Sequence, residues 1–431
     1  MIFSGPHRPI DYSGKNWPML CARKWVITLT LLLVVIGSVL LASIQDSEAI
    51  PAWARKYNAD CAMCHYPVIP RLNSFGQQFR RAGYRTPTEF NKDQDVTKVG
   101  DFLAGRLRTQ FAYENTRGTI ERSEFRFPEA ALFYSGSFSR NYSAYIHAFA
   151  DNSTSVDIHG HLQGVFGSSE RFFSVRIGQM HMLQQGGFGG FDRPSVISTN
   201  PVHSTALTRN SAPMVFTFDQ RQKGVELAYV QGPGRLLAQI TNGLDDTGSG
   251  TRRVGDIDPQ KDFLVAYEHI LDEVASGFTI FYYNGTTHGT VSPAFPASPS
   301  AFSRTFAFSR FGANLSKIFP VPGFGFFELQ GGYVRSYDNV PVQQVGGDVQ
   351  GNAFYVESQQ YITGPEVTFI ERFSLIDLDA ARQNSTRKDY TFGVVTPLQT
   401  WLRVAAEYSY TDNRSTGITG HVALLEFQGN W

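Results

Sequence analysis

Residues 103–113 read LAGRLRTQFAY. The odd-numbered positions of this stretch are largely apolar or aromatic, whereas the even-numbered positions include Arg106, Arg108 and Gln110. Successive side chains of a β-strand point to opposite faces, so this period of two predicts a strand with one apolar and one charged face. Residues 401–410, WLRVAAEYSY, repeat the pattern, with Arg403 and Glu407 on the polar face.

The same alternation recurs along most of the chain. Turn signals such as Gly232-Pro233-Gly234, Asn242-Gly243 and Asn284-Gly285 separate several of the alternating stretches. We therefore expect about 16 antiparallel strands. The further stretches are 123–135, 140–150, 171–183, 222–231, 234–243, 261–271, 274–284, 304–317, 324–337 and 388–396.

The composition favours a membrane barrel over a soluble enzyme. The 431 residues include 40 Gly, 35 Phe and 19 Tyr, only 18% are charged, and the mean hydropathy is −0.21. A soluble protein with this much Phe needs a very large core. In a transmembrane β-barrel, lipid-facing and lumen-facing residues alternate, which dilutes the apolar signal. The fold class predicted is all-β, a transmembrane antiparallel β-barrel over residues 101–431.

The last residues, 421–431, alternate again and end on Trp431. A terminal aromatic residue on an alternating last strand resembles the terminal signal of bacterial outer-membrane proteins. An exposed strand edge is forbidden in lipid, so this strand must close the barrel. Long stretches rich in Gly, Ser and Pro predict extracellular loops at 186–213, 244–258, 286–303 and 338–352.

The first 49 residues are predicted to be a signal peptide. Arg23 and Lys24 precede an apolar run at 26–44, and Ser47-Glu48-Ala49 provides a small-x-small cleavage site. The run is nearly long enough for an uncleaved membrane anchor, but export agrees better with the remaining features. Translation from Met19 instead of Met1 would give a more compact basic start.

After the leader, which takes Cys21 with it, only two cysteines remain. They lie in Cys61-Ala62-Met63-Cys64-His65. A C-x-x-C pair also suits a redox disulfide or half a zinc site, but His follows at once and no second pair exists. This spacing predicts covalent attachment of one haem c, with Cys61 and Cys64 as thioether donors and His65 as proximal iron ligand.

A small, mainly α haem-c domain is predicted over residues 50–100. Pro67 and Pro70 prevent a regular helix directly after the motif. From Arg71 onward, three apolar residues recur at helical spacing (Leu72, Phe75, Phe79), and Gly83 is a plausible helix end. This domain holds eight Lys/Arg against four Asp/Glu, whereas residues 101–431 hold 26 against 31. The charge asymmetry favours docking of the domain on or inside the barrel.

The segment IPAWARKYNADCAMCHYPVIPRLNSFGQQFRRAGY resembles the N-terminal module of fused monohaem cytochrome–porins of the bacterial outer membrane, which include iron-oxidising cytochromes. The matching pattern comprises Pro51, Trp53-Ala54-Arg55, the haem motif, Pro70-x-Leu72-Asn73-x-Phe75-Gly76 and Gly83-Tyr84. The resemblance covers about 35 residues. It implies an outer-membrane protein that passes electrons from an extracellular donor such as Fe(II) to a periplasmic c-type cytochrome.

Two alternative functions remain at this stage. One is a solute porin in which haem is a sensor or a structural plug, and the other is outward electron transfer to an extracellular acceptor. If the protein is an enzyme, it is an oxidoreductase of the Fe(II):cytochrome c type. The partners expected are the electron donor, the periplasmic carrier and outer-membrane lipid, and no feature points to nucleic acid.

A distal haem ligand is expected from the barrel, because the haem domain has no other His and its Met63 is confined to the attachment turn. The candidates are Met180 and Met182, which alternation places on the lumen side together with Arg176. Methionine ligation would raise the reduction potential relative to two histidines. Lumen arginines such as Arg106 and Arg126 are candidates for contacts with the haem propionates.

Overall fold

A computed structural model describes most of the chain after the predicted leader. The described residues are 52–65, 71–117, 120–151, 156–183, 197–204, 217–218, 221–243, 259–291, 302–339, 348–381, 383–399 and 401–431. Residues 48–431 form one compact unit. The predicted signal peptide and the alternative start at Met19 lie outside the described residues.

Sixteen antiparallel strands form a closed barrel, as the alternating pattern predicts. Each strand pairs with its neighbours in sequence, and β1 pairs with β16 to close the ring. The strands are β1 (Leu103–Thr116), β2 (Ile120–Ser137), β3 (Tyr142–Ala150), β4 (Val156–Gly167), β5 (Arg171–His181), β6 (Arg221–Gln231), β7 (Gly234–Thr241), β8 (Asp262–Ile270), β9 (Gly277–Val291), β10 (Phe302–Val321), β11 (Gly325–Asp338), β12 (Val349–Ile362), β13 (Val367–Asp377), β14 (Thr386–Gln399), β15 (Leu402–Asn413) and β16 (Ile418–Asn430).

The barrel is apolar outside and polar inside. Large apolar side chains stand on its outer surface, with Phe125 83% and Phe173 62% exposed. Charged side chains such as Arg176, Glu226 and Arg235 are buried on the inner face. This is the reverse of a soluble protein, and it is the distribution that a barrel in lipid requires.

The two ends of the barrel differ in the length of their connections. At one end the turns are short, at 138–141, 168–170, 232–233, 271–276, 322–324, 363–366 and 400–401, and β1 begins and β16 ends there. We call this the short-turn end. The longest connection, between β5 and β6, and those between β7 and β8 and between β11 and β12 lie at the opposite end, which we call the long-loop end.

The last residue takes part in closing the barrel. Trp431 donates its backbone N–H to the carbonyl of Gly105 at 3.0 Å and accepts the N–H of Gly105 at 2.7 Å. A Cβ atom at Gly105 would lie 2.3 Å from the Trp431 ring, so the glycine makes room for it. The predicted pairing of the terminal strand is therefore confirmed.

Residues 52–102, which we call the module, precede β1. Helix α1 (Ala52–Tyr57) is followed by a 3₁₀ turn (Cys61–Met63), helix α2 (Ser74–Arg81) and two further 3₁₀ turns (Pro87–Glu89 and Val99–Asp101). Helix α2 contains Phe75 and Phe79 of the predicted helix but begins at Ser74, because Asn73 caps it and Leu72 pairs with His65 in an isolated β-bridge. Within the described residues, no helix combines the length and hydropathy needed to cross a membrane.

Helix α2 ends as Gly83 predicts. The N–H of Tyr84 donates to the carbonyl of Phe79 at 2.8 Å, and the N–H of Gly83 donates to that of Arg80 at 3.1 Å. Gly83 has φ +67°, which glycine adopts without steric cost. These bonds are those of a Schellman motif, and they turn the chain from α2 toward the barrel wall.

The module contacts the inner wall and turns of the barrel at the short-turn end. Arg71 pairs with Glu328 at 2.8 Å and Arg81 with Glu268 at 3.5 Å, and all four side chains are buried. The Gln78 amide donates to the carbonyl of Gly232, in the turn between β6 and β7, at 2.8 Å. The basic module is therefore held by acidic residues of the barrel, as the charge asymmetry suggests.

The described residues of the connection between β5 and β6 include a segment, 197–204, that contacts the wall opposite β5. The backbone N–H groups of Ile197 and Ser198 donate to Glu407 on β15 at 3.1 and 3.0 Å, and Arg372 on β13 donates to the Ser198 hydroxyl at 3.0 Å. β13 stands eight strands from β5 in the ring. This connection also includes a single helical turn, α3 (Pro201–Ser204).

The described residues of the connection between β5 and β6 also pack against an apolar belt on the inner wall. The connection's buried residues Met182, Leu183, Val202 and Phe218 form one cluster with residues of the wall. Those wall residues are Ala228, Leu237, Leu264, Ala266, Phe281, Tyr283, Phe308, Val334, Val349, Ala353, Tyr355, Ile376 and Leu378. This belt, together with a second cluster in which Ile197 packs against Ile370, Val395 and Ala405, gives the described part of the connection an apolar contact surface on the inner wall.

Candidate functional site: a cavity around the C-x-x-C-H turn

The motif Cys61-x-x-Cys64-His65 forms a compact turn. The Asp60 carboxylate accepts the N–H of Ala62 at 2.9 Å, and the N–H groups of Cys64 and His65 both donate to the carbonyl of Cys61, at 3.1 and 2.9 Å. Cys61 and Cys64 are free thiols, both half-buried. The turn thus presents two thiols and one imidazole from five consecutive residues.

The imidazole of His65 is oriented by the segment that leads into α2. Its Nδ1 lies 3.2 Å from the carbonyl of Arg71, and the backbones of His65 and Leu72 form an isolated antiparallel bridge. A carbonyl oxygen only accepts hydrogen bonds, so Nδ1 carries the hydrogen. In the neutral imidazole, Nε2 then has the lone pair that a metal ion would bind. Metal-ligating histidines are commonly oriented in this way, with one ring N–H bonded to a carbonyl.

Helix α2 supports the turn from behind. Asn73 caps the helix by accepting the N–H of Gly76 at 2.9 Å, and its amide donates to the carbonyls of Ala62 and Met63, both at 3.0 Å. A Cβ atom at Gly76 would lie 2.2 Å from the carbonyl oxygen of Cys64. The glycine therefore sets how closely the helix approaches the turn.

We expect Gly76→Ala to disturb the turn strongly. A methyl group at Gly76 meets backbone, which cannot move aside as a side chain can, so the helix must shift away from Cys64. The expected cost is about 1–3 kcal/mol, and the measurement is the yield of haem-stained protein.

Gly100→Ala is the matched control, since a Cβ atom there would have nothing within 4 Å. Equal haem yields from the two variants would contradict this account of Gly76.

The turn opens into a cavity shared by the module and the barrel. The space that it offers to a water-sized sphere is about 260 Å³, slightly below the roughly 300–1,000 Å³ typical of ligand pockets. Cys61, Cys64 and His65 all line it. The other lining residues are Ala52, Trp53, Ala54, Asp60, Met63, Leu72, Arg80, Tyr84, Ala104, Gly105, Arg106, Phe133, Ser135, Tyr145 and Asn430.

Aromatic rings form one side of the cavity. Trp53 stacks on Tyr84 with a centroid separation of 5.1 Å, and Tyr84 stacks on Tyr145 of β3 at 6.4 Å. The Trp53 indole donates to the carbonyl of Ser135 at 3.2 Å. Burial raises the pKa of Tyr84 to about 12, so its hydroxyl is neutral at neutral pH. The rings give the cavity a rigid, largely apolar wall that spans the join between module and barrel.

The two thiols are protonated at neutral pH. Burial raises the pKa of Cys61, and burial together with the neighbouring Cys61 raises that of Cys64 to about 11. In the described residues, no group of three or more His, Cys, Asp or Glu side chains is arranged to hold a metal ion.

The residues of the cavity fit a haem c. Two thiols and an oriented imidazole lie on one wall, an aromatic wall stands beside them, and two guanidinium groups, Arg80 and Arg106, also line the space. A haem joined to Cys61 and Cys64 needs an apolar enclosure for its ring, a ligand from His65 and cations for its two carboxylates. The chemistry of the lining supplies all three.

The candidate distal ligands lie elsewhere. Met180 and Met182 are buried on the lumen side as alternation predicts, with Ile177 facing outward, but neither lines the cavity. Among the described lining residues, His65 has the only imidazole and Met63 the only thioether. The geometry gives Met180 and Met182 no support as ligands, and the assignment stays a prediction.

The residues that complete the cavity come from distant parts of the sequence. Tyr145 lies on β3 and Asn430 at the end of β16, and their positions in the cavity follow only from the closed barrel. Asn73 and Gly76 were noticed only as part of the resemblance. An Asn directly before a helix is a local sequence signal, from which the capping role of Asn73 can be predicted.

Comparisons with known proteins identify the barrel. No protein-family model matches the chain, and no curated protein matches it in sequence. Solved structures match well in fold: an anion-selective porin from Comamonas acidovorans has a TM-score of 0.53 at 13% identity, covering 76% of this chain and 98% of that one. OprB of Pseudomonas putida has 0.54 at 9% identity, covering 77% and 94%.

Salmonella typhi OmpF is also similar, with a TM-score of 0.51 at 12% identity over 76% of this chain and 97% of that one. At these identities the likeness shows the fold alone. The chain is therefore an outer-membrane β-barrel with the architecture of a porin. In bacterial outer-membrane barrels the short turns face the periplasm, so we expect the short-turn end, which carries the module and the cavity, to be the periplasmic end.

Proposed function

We propose that this protein is an outer-membrane cytochrome that holds one haem c on Cys61, Cys64 and His65. It transfers electrons from an extracellular donor, Fe(II), to a periplasmic c-type cytochrome. The observation that carries the proposal is the cavity in which both thiols and the oriented imidazole meet. A haem bound there would accept and release one electron at a time.

The chain's own residues perform the supporting tasks. Cys61 and Cys64 fix the cofactor covalently, and His65, held by the carbonyl of Arg71, supplies the proximal nitrogen. Trp53, Tyr84 and the barrel wall limit access of water. The position of the cavity at the periplasmic end suits direct contact with a periplasmic carrier.

The contents of the lumen favour electron transfer over solute passage. The module occupies the short-turn end, and the described residues of the connection between β5 and β6 contact the inner wall at β13 and β15. Internal segments plug some outer-membrane barrels, whereas the interior of porins is a water-filled channel. A solute porin with haem as a structural plug would need a continuous aqueous route past both obstacles.

Addition of Fe(II) should reduce the haem of the detergent-purified, oxidised protein. The measurement is the visible spectrum before and after Fe(II) is added anaerobically, followed by transfer to an oxidised soluble c-type cytochrome. The control is the Cys61→Ala/Cys64→Ala variant, which should transfer no electrons under the same conditions.

Two results would redirect the proposal. If Fe(II) leaves the oxidised spectrum unchanged while a reduced periplasmic-type cytochrome changes it, electron flow is outward. If planar bilayers with the protein show a large steady conductance, the barrel passes solutes and the porin function replaces electron transfer.

A further inference from the structure

The cavity carries a surplus of positive charge. Arg80 from α2 and Arg106 from β1 both line it, and Asp60 is the one acidic residue among the described lining residues. The Asp60 carboxylate already accepts the N–H of Ala62 at 2.9 Å. A largely apolar cavity with two guanidinium groups is suited to an apolar ligand that bears two carboxylates.

Arg106 is bound on one side only. Its Nη2 donates to Glu129 Oε1 at 2.5 Å, and its guanidinium lies 4.9 Å from the centroid of the Phe133 ring. Its Nε is buried and has no hydrogen-bond partner among the residues that the structure describes. A buried donor without an acceptor is destabilising. This N–H therefore indicates an acceptor other than the described residues.

A chain of hydrogen bonds along the inner wall fixes the anchor of Arg106. The Arg221 guanidinium lies 2.9 Å from His159 Nδ1, His159 Nε2 lies 3.2 Å from His147 Nδ1, and His147 Nε2 lies 3.0 Å from Glu129 Oε1. Arginine only donates, so His159 Nδ1 accepts, and each following link must point the same way. Both imidazoles are then neutral and direct their N–H groups toward Glu129.

Glu129 consequently receives donors from two sides, His147 and Arg106, and its carboxylate is held in place. We propose that Arg106 binds a propionate of the haem c, with Arg80 as the second cation, and that Glu129 and His147 position Arg106 for this task. The inference rests on the proposed function, because it requires a haem in the cavity. The ligand class is a porphyrin carboxylate.

The two residues should affect the haem in opposite directions. The oxidised iron carries one more positive charge than the reduced iron, so a nearby cation favours reduction and a nearby anion opposes it. Loss of the Arg106 charge should therefore lower the reduction potential. Loss of the Glu129 charge should raise it, provided that Arg106 stays in place.

The experiment is a potentiometric titration of the full-length protein in detergent. We expect Arg106→Gln to lower the equilibrium constant for reduction roughly tenfold, which is 59 mV for one electron. Arg106→Lys should retain most of the wild-type potential because it keeps the charge, and Glu129→Gln should raise the potential.

The matched control is Arg126→Gln. Arg126 lies on β2, pairs with Glu114 at 2.6 Å and does not line the cavity, so its removal should leave the potential unchanged. An unchanged potential in Arg106→Gln, or an equal shift in Arg126→Gln, would overturn the proposal. If Arg106→Gln does not accumulate, Glu129→Gln decides: a raised potential supports the proposal and an unchanged one rejects it.

Haem staining of the wild-type protein separates this inference from the proposed function. Absence of covalent haem in the wild type removes the proposed function and, with it, the inference. Covalent haem with a potential that does not respond to Arg106 or Glu129 removes only the inference.

Discussion

Replacement of Cys61 and Cys64 together by alanine should leave the chain without covalent haem. Each thioether of a c-type haem needs one thiol, and these are the two cysteines that remain after the predicted leader. The expected result is complete loss of haem staining on a denaturing gel. The barrel should still form, because neither residue belongs to a strand, and its heat-dependent gel mobility can be followed in parallel.

Cys21→Ala is the matched control and should keep full staining, since Cys21 precedes the predicted cleavage site. His65→Ala should keep both thiols but change the haem spectrum, because the proximal nitrogen is lost. Intact covalent haem in the Cys61→Ala/Cys64→Ala variant would refute the assignment of the motif.

Arg71→Met should loosen the attachment of the module to the barrel. Arg71 donates to Glu328 at 2.8 Å and to the Ser316 hydroxyl at 2.9 Å, deep in the wall. Its removal leaves the Glu328 carboxylate buried without its cation, which costs about 3–5 kcal/mol. We expect limited proteolysis of the module to become faster, roughly 10²- to 10⁴-fold, when opening precedes cleavage.

Two further variants test the cause. Arg71→Met combined with Glu328→Met should recover most of the protection, because apolar residues often replace a buried ion pair without loss of stability. Lys317→Met breaks the exposed pair with Asp272 and should change proteolysis little, since exposed pairs contribute about 0–1 kcal/mol. Equal effects of Arg71→Met and Lys317→Met would contradict the docking role of Arg71.

The barrel was predictable because its signal is repeated in almost every strand. The alternating pattern nevertheless did not identify three of the strands, which are β4, β12 and β13. On the outward face of β4, Ile158 and Leu162 alternate with Gly160 and Gly164. Every second outward position therefore lacks a side chain, and the apolar pattern in the sequence is weak. Gly160 is required there because a Cβ atom would lie 2.2 Å from the carbonyl oxygen of Tyr145. A close contact between strands is invisible to a sequence pattern.

Loop boundaries were the least accurate part of the prediction. The loop expected at 286–303 is shorter, because β9 continues to Val291 and β10 begins at Phe302. Gly, Ser and Thr in this region suggested a loop, yet the backbone pairing of a long hairpin extends through them. The expected loop at 338–352 agrees better with the gap between β11 and β12.

The part of the candidate site that lies within a few consecutive residues was predictable from the sequence. Cys61, Cys64 and His65 are adjacent in sequence, so their meeting requires only one turn. The opposite wall, with Arg106, Tyr145 and Asn430, combines residues from both ends of the barrel sequence. The sequence alone predicts Arg106 and Arg126 equally as propionate partners. Only the three-dimensional arrangement shows that Arg106 lines the cavity and Arg126 does not.

The closure of the barrel has a consequence for biogenesis. Gly105 of β1 and Asn430 of β16 both line the cavity, and the adjacent Trp431 is bonded to Gly105. This part of the wall exists only after the end of the chain has paired with its first strand. The Cys61–His65 turn, in contrast, needs only the module to form. Under the proposed function, we therefore expect the cofactor to be attached before the barrel closes, and closure of the barrel then to enclose it.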